Sequence, residues 1–208
     1  MKPVILLKMN HSKRQSCQQC HYPVNTCVCY AISQVNVPAK ITIIQDPSET
    51  HHAKNTARLL ALAIPSSQII ILDGTTAWPN NLIKDKQRTV VIYPAENAQP
   101  IETFISPTGS PSHTHSTAVE HVILLDGSWR KTRKLWLSYP VLNECHILTF
   151  KAAPTTQYAI RKTTHTGSMS TLEACAYSLK QLFNTDTAGL YGLLEAMQTH
   201  WRRHEHHT

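Results

Sequence analysis

At 208 residues with 41% apolar side chains, the chain is long enough for one substantial core with a small appended module, and its composition excludes a disordered polymer. Twenty Lys and Arg against 13 Asp and Glu leave a formal charge of +7, a field that favours RNA, DNA or an anionic membrane surface, although a merely soluble basic protein has the same balance. No apolar run approaches membrane-spanning length, and the early run at positions 3–7 is broken by Lys8 before it reaches the length of a signal-peptide core, so a cytoplasmic chain is expected.

The first feature in chain order is a cysteine quartet, Cys17, Cys20, Cys27 and Cys29, spaced C-x2-C-x6-C-x-C. In a reducing compartment such a cluster points to a metal, with reactive thiols or a disulfide pair as the alternatives. Two short chelating pairs joined by a turn through Pro23 and Asn25 supply four soft ligands at little loop-closure cost, the requirement of a structural zinc site. With all four positions taken by protein, catalysis at that metal is not expected. The quartet defines a small module, residues 1–38, ahead of a main domain, 39–208. Cys145 and Cys175 lie in apolar surroundings and read as buried small residues.

Beyond the quartet, 40–45 reads as a strand; Pro47 punctuates, and Ser48 with Glu49 is expected to cap a helix running through 55–62. Apolar, β-branched runs at 68–72 and 89–93 are further strands, and the Pro, Ser, Thr and His-rich stretch 94–120 reads as a long loop with one or two short turns. Strand character returns at 121–125, helix at 129–139 and strand at 145–150, and helices near 170–183 and 188–203 complete the chain. Continuous apolar strands separated by helices predict an α/β fold, a mostly parallel sheet with helices on both faces.

Such a sheet receives ligands beyond the carboxyl ends of its strands, and Asp126-Gly127-Ser128-Trp129 follows the 121–125 strand at once. Gly127 lets the backbone turn, Ser128 is placed to cap the next helix, and Trp129 offers a broad apolar face. An ordinary strand-turn-helix joint with a core Trp accounts for the same four residues. The helix that follows carries Arg130, Lys131, Arg133 and Lys134, and Arg161-Lys162 form a second basic pair; both clusters suit a phosphate backbone, or are simply solvated. Ser170 and Glu173 have capping-box spacing at a helix N-terminus whose free N–H groups could also hold an anion.

Taken in order, the cysteine quartet, Gln45-Asp-Pro-x-Glu49, Ile92-Tyr-Pro-Ala95, Leu125-Asp-Gly-Ser-Trp-Arg130 with its basic run, Tyr158-Ala-Ile-Arg161 and Ser170-Thr-Leu-Glu-Ala174 resemble the DTW-domain family over roughly residues 17 to 183. One departure is Ser128, where the family's motif has Thr; the hydroxyl is kept and the methyl lost. The resemblance implies a tRNA-uridine aminocarboxypropyltransferase. Such an enzyme moves a 3-amino-3-carboxypropyl group from S-adenosylmethionine to uridine N3 in tRNA, in the variable loop, and releases methylthioadenosine. It also implies a SPOUT-like architecture with a knotted C-terminal region; no obligate protein partner is evident in the sequence.

Carried onto this chain, the resemblance makes Asp126, Ser128 and Trp129 the catalytic candidates. Leu125, Asp126, Gly127, Ser128, Trp129, Ser170 and Thr171 become the donor-binding candidates, and Arg130, Lys131, Arg133, Lys134, Arg161 and Lys162 the RNA-binding ones. Asp126 has two available roles, base towards N3 or partner of the donor's ammonium. Because a sulfonium activates three carbons, the pose decides which one reacts. An RNA methyltransferase using the same donor, and a zinc-bearing RNA-binding module without catalysis, stand as the alternatives.

Overall fold

The computed structural model describes residues 15–52, 54–104, 118–160 and 169–205. Six parallel strands form one sheet: β1 (Lys40–Gln45), β2 (Gln68–Ile71), β3 (Thr89–Ile92), β4 (Gln99–Pro100), β5 (His121–Asp126) and β6 (His146–Thr149). They lie in the order β2-β1-β5-β3-β6-β4, with every pairing parallel. The long central strands are buried along most of their length because both faces of the sheet are covered.

Side-chain alternation sorts each strand between two cores. Ile41 and Ile43, Val90 and Ile92, and Val122 and Leu124 point to one face, where they meet α1 (Thr56–Ala63), α4 (Thr171–Phe183) and α5 (Ala188–Glu205). Ile44, Val91, Ile123 and Ile147 point to the other, against Leu135, Trp136 and Tyr139 of α3 (Trp129–Ser138) and its exit. Full burial of each such Ile or Leu is worth about 1.5–3 kcal/mol, so a one-residue slip of register is strongly opposed.

The helices begin where the backbone finds a local acceptor. Asn55 accepts from the Arg58 N–H at 3.1 Å and starts α1, whereas Ser48 and Glu49, expected to cap this helix, lie in a separate 3-10 turn, Pro47–Glu49, that Asp46 caps. Asp46 wins because its carboxylate reaches the Ser48 N–H two residues on, at 3.0 Å. Helix α4 opens with the expected capping box between Ser170 and Glu173 and ends at Asn184 in the left-handed region, φ 52°. The 94–120 stretch, read as a loop with short turns, contains the two-residue edge strand β4 and the single-turn helix α2 (Ile101–Phe104).

The cysteine module docks on the first core. Cys20, Tyr22, Val28 and Val35 are buried in the same cluster as Leu59 of α1 and Leu190 of α5, and the Tyr22 hydroxyl donates to the Asn55 carbonyl at 3.2 Å. Cys145 and Cys175 are both buried, as their sequence surroundings require. Among the described residues no helix is long and apolar enough to cross a membrane.

Candidate active site

The carboxyl end of β5 is held by its neighbours on both sides. Register pairs Gln45 with Asp126, and the Gln45 amide donates to Asp126 Oδ2 at 2.8 Å. The Thr171 hydroxyl, at the first residue of α4, donates to Asp126 Oδ1, while the Asp126 carbonyl accepts from the Asp46 N–H at 3.1 Å. Asp126 is 9% exposed, so its carboxylate is a buried and oriented acceptor with a donor on each oxygen. Gly127 turns the chain with φ 158°, and a Cβ here would stand 3.0 Å from Lys131 Cβ, so a side chain would require Lys131 of α3 to give way. Ser128 occupies the N-cap position of α3 but makes no side-chain cap bond; its carbonyl accepts from the Thr132 N–H instead. The expectation of a hydroxyl cap at Ser128 is therefore corrected.

Beside this corner lies a cavity of about 470 Å³. Its walls come from the ends of β3 and β5 (Ile92 to Pro94, Leu124 and Leu125), from Gly127, Trp129 and Thr132, from 148–151 and 153–156, and from Met169, Thr171 and Ala174. Of the donor-binding candidates, Leu125, Gly127, Trp129 and Thr171 line it, whereas Asp126, Ser128 and Ser170 do not. Ser170 is only 1% exposed, and its hydroxyl and amide serve Glu173. Asp126 reaches the cavity through Thr171.

Two carboxylates fix the 151–157 segment that forms one wall. Glu102 accepts from the Ala152 N–H at 2.9 Å, the Lys151 N–H at 3.1 Å and the Tyr177 hydroxyl at 2.9 Å. Burial alone would raise the Glu102 carboxyl; bonds from the Ala152 amide, its own amide, the Tyr177 hydroxyl and the Lys151 amide bring it below its ordinary value. Glu173, 1% exposed, accepts from the Gln157 N–H at 2.6 Å and the Thr156 hydroxyl at 2.9 Å, so the capping residue of α4 also ties the wall to that helix. The sequence assigned Glu173 only to the cap, and nothing in local spacing pointed to Glu102.

Cavity and basic helix meet. An open groove of about 520 Å³, lined by Tyr93, Trp129, Arg130, Arg133, Lys134, Leu137 and Ser138, shares Tyr93 and Trp129 with the cavity. Tyr93 is fixed there by stacking on Trp136, with ring centroids 4.6 Å apart and planes 19° from parallel. Trp129 is 42% exposed, so it stands at the junction rather than in the core. Lys131, another of the RNA-binding candidates, makes a half-buried pair with Glu49 at 2.7 Å and does not line the groove. Arg161 and Lys162 lie outside the described residues.

The four cysteines converge as expected. Their sulfurs all lie within 4.8 Å of one another, Cys17 to Cys29 at 3.6 Å and Cys20 to Cys27 at 3.8 Å. A tetrahedron of thiolates about 2.3 Å from a metal has edges of about 3.8 Å, so the donor set fits zinc, and the cysteines are free thiols far beyond disulfide distance. The first pair is folded by His21 in the left-handed region (φ 58°), with its N–H bonded to the Cys17 carbonyl at 2.9 Å. Amide bonds from Cys20 and Gln19 draw the Cys17 thiol down to about 6, whereas burial pushes Cys29 up to about 12.

The arrangement provides a half-open small-molecule cavity at the carboxyl edge of a parallel sheet, next to a groove lined by Arg130, Arg133 and Lys134. The model of the DTW domain matches residues 14–202. The tRNA-uridine aminocarboxypropyltransferase 2 of Drosophila melanogaster is 27% identical over 180 residues, covering 82% of this chain and 68% of that protein. No solved structure matches. With the family's domain spanning nearly its whole length, the chain belongs to the DTW-domain family.

Proposed function

We propose that this chain is a tRNA-uridine aminocarboxypropyltransferase. It takes a 3-amino-3-carboxypropyl group from S-adenosylmethionine, places it on uridine N3, in the variable loop, and releases methylthioadenosine. The observation that carries this reading is the meeting of the cavity and the basic groove at Tyr93 and Trp129, which sets a donor pocket against a polyanion track. The name of the fly relative supports the tRNA-uridine acceptor and the aminocarboxypropyl group. A volume of about 470 Å³ lies within the range of small-ligand sites, and the mostly apolar walls with a few hydroxyls suit an adenosine and its thioether arm.

When bound, the donor supplies a sulfonium with three activated carbons. The protein's work is selection of one of them. Trp129 and the 151–157 wall shape the pocket so that the longer arm, and not the methyl, is presented at the groove. Asp126 holds the Thr171 hydroxyl by accepting its proton in a hydrogen bond, which leaves the Thr171 oxygen lone pairs for an N–H of the ligand. Orientation is thus the role this geometry supports for Asp126, over direct proton abstraction. Arg130, Arg133 and Lys134 take the RNA backbone.

Around this centre we place a cytoplasmic enzyme with a structural zinc module, 1–38, docked on a catalytic domain, 39–208. The parallel sheet with its site at the strand ends, and the return of the chain after β6 to bring Thr171 against β5, support a SPOUT-like arrangement of the C-terminal region. The test is incubation with tRNA and S-adenosylmethionine labelled in the carboxyl carbon or in the methyl carbon. Carboxyl label in the RNA is the expected result. Methyl label alone would make the protein a methyltransferase, and no label an RNA-binding module.

A further inference from the structure

An aminocarboxypropyl donor differs from a plain nucleoside by carrying an α-carboxylate, and the cavity must meet that charge. Among the described residues that line it, Lys151 is the one charged side chain. Its ammonium has no ion-pair partner among the described residues, unlike Lys131, Lys86 and Arg88, which each hold a carboxylate. Exposed at the rim, Lys151 is attached to a backbone tied at both ends: Glu102 accepts from its amide and that of Ala152, and Glu173 accepts from the far end of the same wall at Gln157. The competing positive feature, the N-terminus of α4, already has Glu173 in its first turn, which offsets the helix dipole there.

We propose that Lys151 binds the α-carboxylate of the donor's amino-acid arm and sets the choice of donor, with Glu102 as the positioning residue that holds Lys151 at the cavity rim. The proposal rests on the aminocarboxypropyl reading above. It follows from charge pairing in a partly desolvated pocket: a carboxylate entering next to Lys151 gains a charge-assisted bond, and a donor without one leaves the ammonium as it was. The amides of Lys151 and Ala152 do not substitute for it, because both are already committed to Glu102.

The test titrates the full chain with S-adenosylmethionine and with decarboxylated S-adenosylmethionine, and repeats both titrations on Lys151→Met, Lys151→Arg and Glu102→Gln. The wild type should bind the carboxylated donor about tenfold or more tightly than the decarboxylated one. Lys151→Met should lose that preference by weakening the carboxylated donor alone; Lys151→Arg should keep it. Glu102→Gln should shrink the preference, and an equal loss for both donors would make Glu102 merely structural and overturn its part. Retention of the full preference by Lys151→Met, with normal binding otherwise, would overturn the assignment of Lys151 while leaving the functional reading in place. Failure of the wild type to bind either donor would instead remove that reading, and this proposal with it.

Discussion

Thr171 donates its hydroxyl to the carboxylate of Asp126, so the first residue of a C-terminal helix and the last residue of a central strand are joined at the wall of one cavity. The bond puts Thr171, and not Asp126 itself, at the cavity wall. Thr171→Val keeps the shape and deletes the donor, leaving a buried carboxylate one partner short. It should lower kcat/KM by about 10- to 100-fold, the worth of a bond to a charged group, with little change in secondary structure. Asp126→Ala should abolish transfer and also cost about 1–3 kcal/mol of stability, because the Gln45 amide is left without its partner. Labelled-donor transfer and thermal melts check both; full turnover in Thr171→Val would separate this pair from the reaction.

Gly127→Ala sets a Cβ 3.0 Å from the Lys131 Cβ, in a backbone conformation that resists one. A loss of about 1 kcal/mol or more is expected, with weaker donor binding because the turn must shift. Denaturant unfolding with parallel donor titration reads out the two effects, and a variant as stable as wild type would show that α3 yields at this point.

Replacing Cys17 and Cys20 with Ser should release zinc, measurable as metal content by mass spectrometry. Since Cys20, Tyr22 and Val28 share a core with α1 and α5, the damage should reach the main domain. A loss of about 3 kcal/mol would lower Tm by roughly 6–12 °C in a chain of this size. A strong chelator should have the same effect on the wild type. Wild-type protein purified without metal, and unmoved by chelator, would overturn the assignment.

Charge reversal at Arg133 and Lys134 should weaken tRNA binding and flatten its salt dependence, by about 0.9 in the log-log slope for each duplex phosphate left without its cation. Lys131→Ala serves as the contrast: it breaks the pair with Glu49 and should affect stability while leaving the slope unchanged. Binding isotherms at several salt concentrations distinguish the two. Equal slopes for wild type and both variants would place the RNA elsewhere.

His121, 6% exposed, is held neutral, with its pKa pulled from the ordinary 6.5 to about 4 by burial and then by the nearby Lys40 charge, and its Nε2 lies 2.8 Å from the Thr42 hydroxyl. The unfolded chain therefore binds a proton at this site that the folded one refuses. Stability should be full above pH 6.5 and fall as pH drops towards 4, by about 3 kcal/mol at most from this residue. His121→Gln should flatten the decline over that interval in denaturant midpoints taken at closely spaced pH values. An unchanged pH profile would assign the acid sensitivity to other groups.

Local pattern was enough to place the main strands and helices and to mark the cysteine cluster. Strand runs such as 121–125 are largely apolar because both faces are covered, the Ser170 and Glu173 spacing encodes its own cap, and four cysteines so close in sequence have little choice but to converge. Helix starts were less legible where several short polar residues compete: Asp46 captured the Ser48 amide and left Asn55 to begin α1, and either side chain has the chemistry to do so. What only the tertiary structure decided is which side chains face the cavity. Asp126 stands behind Thr171, Lys131 turns to Glu49, and Glu102 secures a wall that begins 49 positions away. Each of these depends on sheet order and helix docking, and a parallel sheet brings together residues whose separation along the chain carries no trace of their meeting.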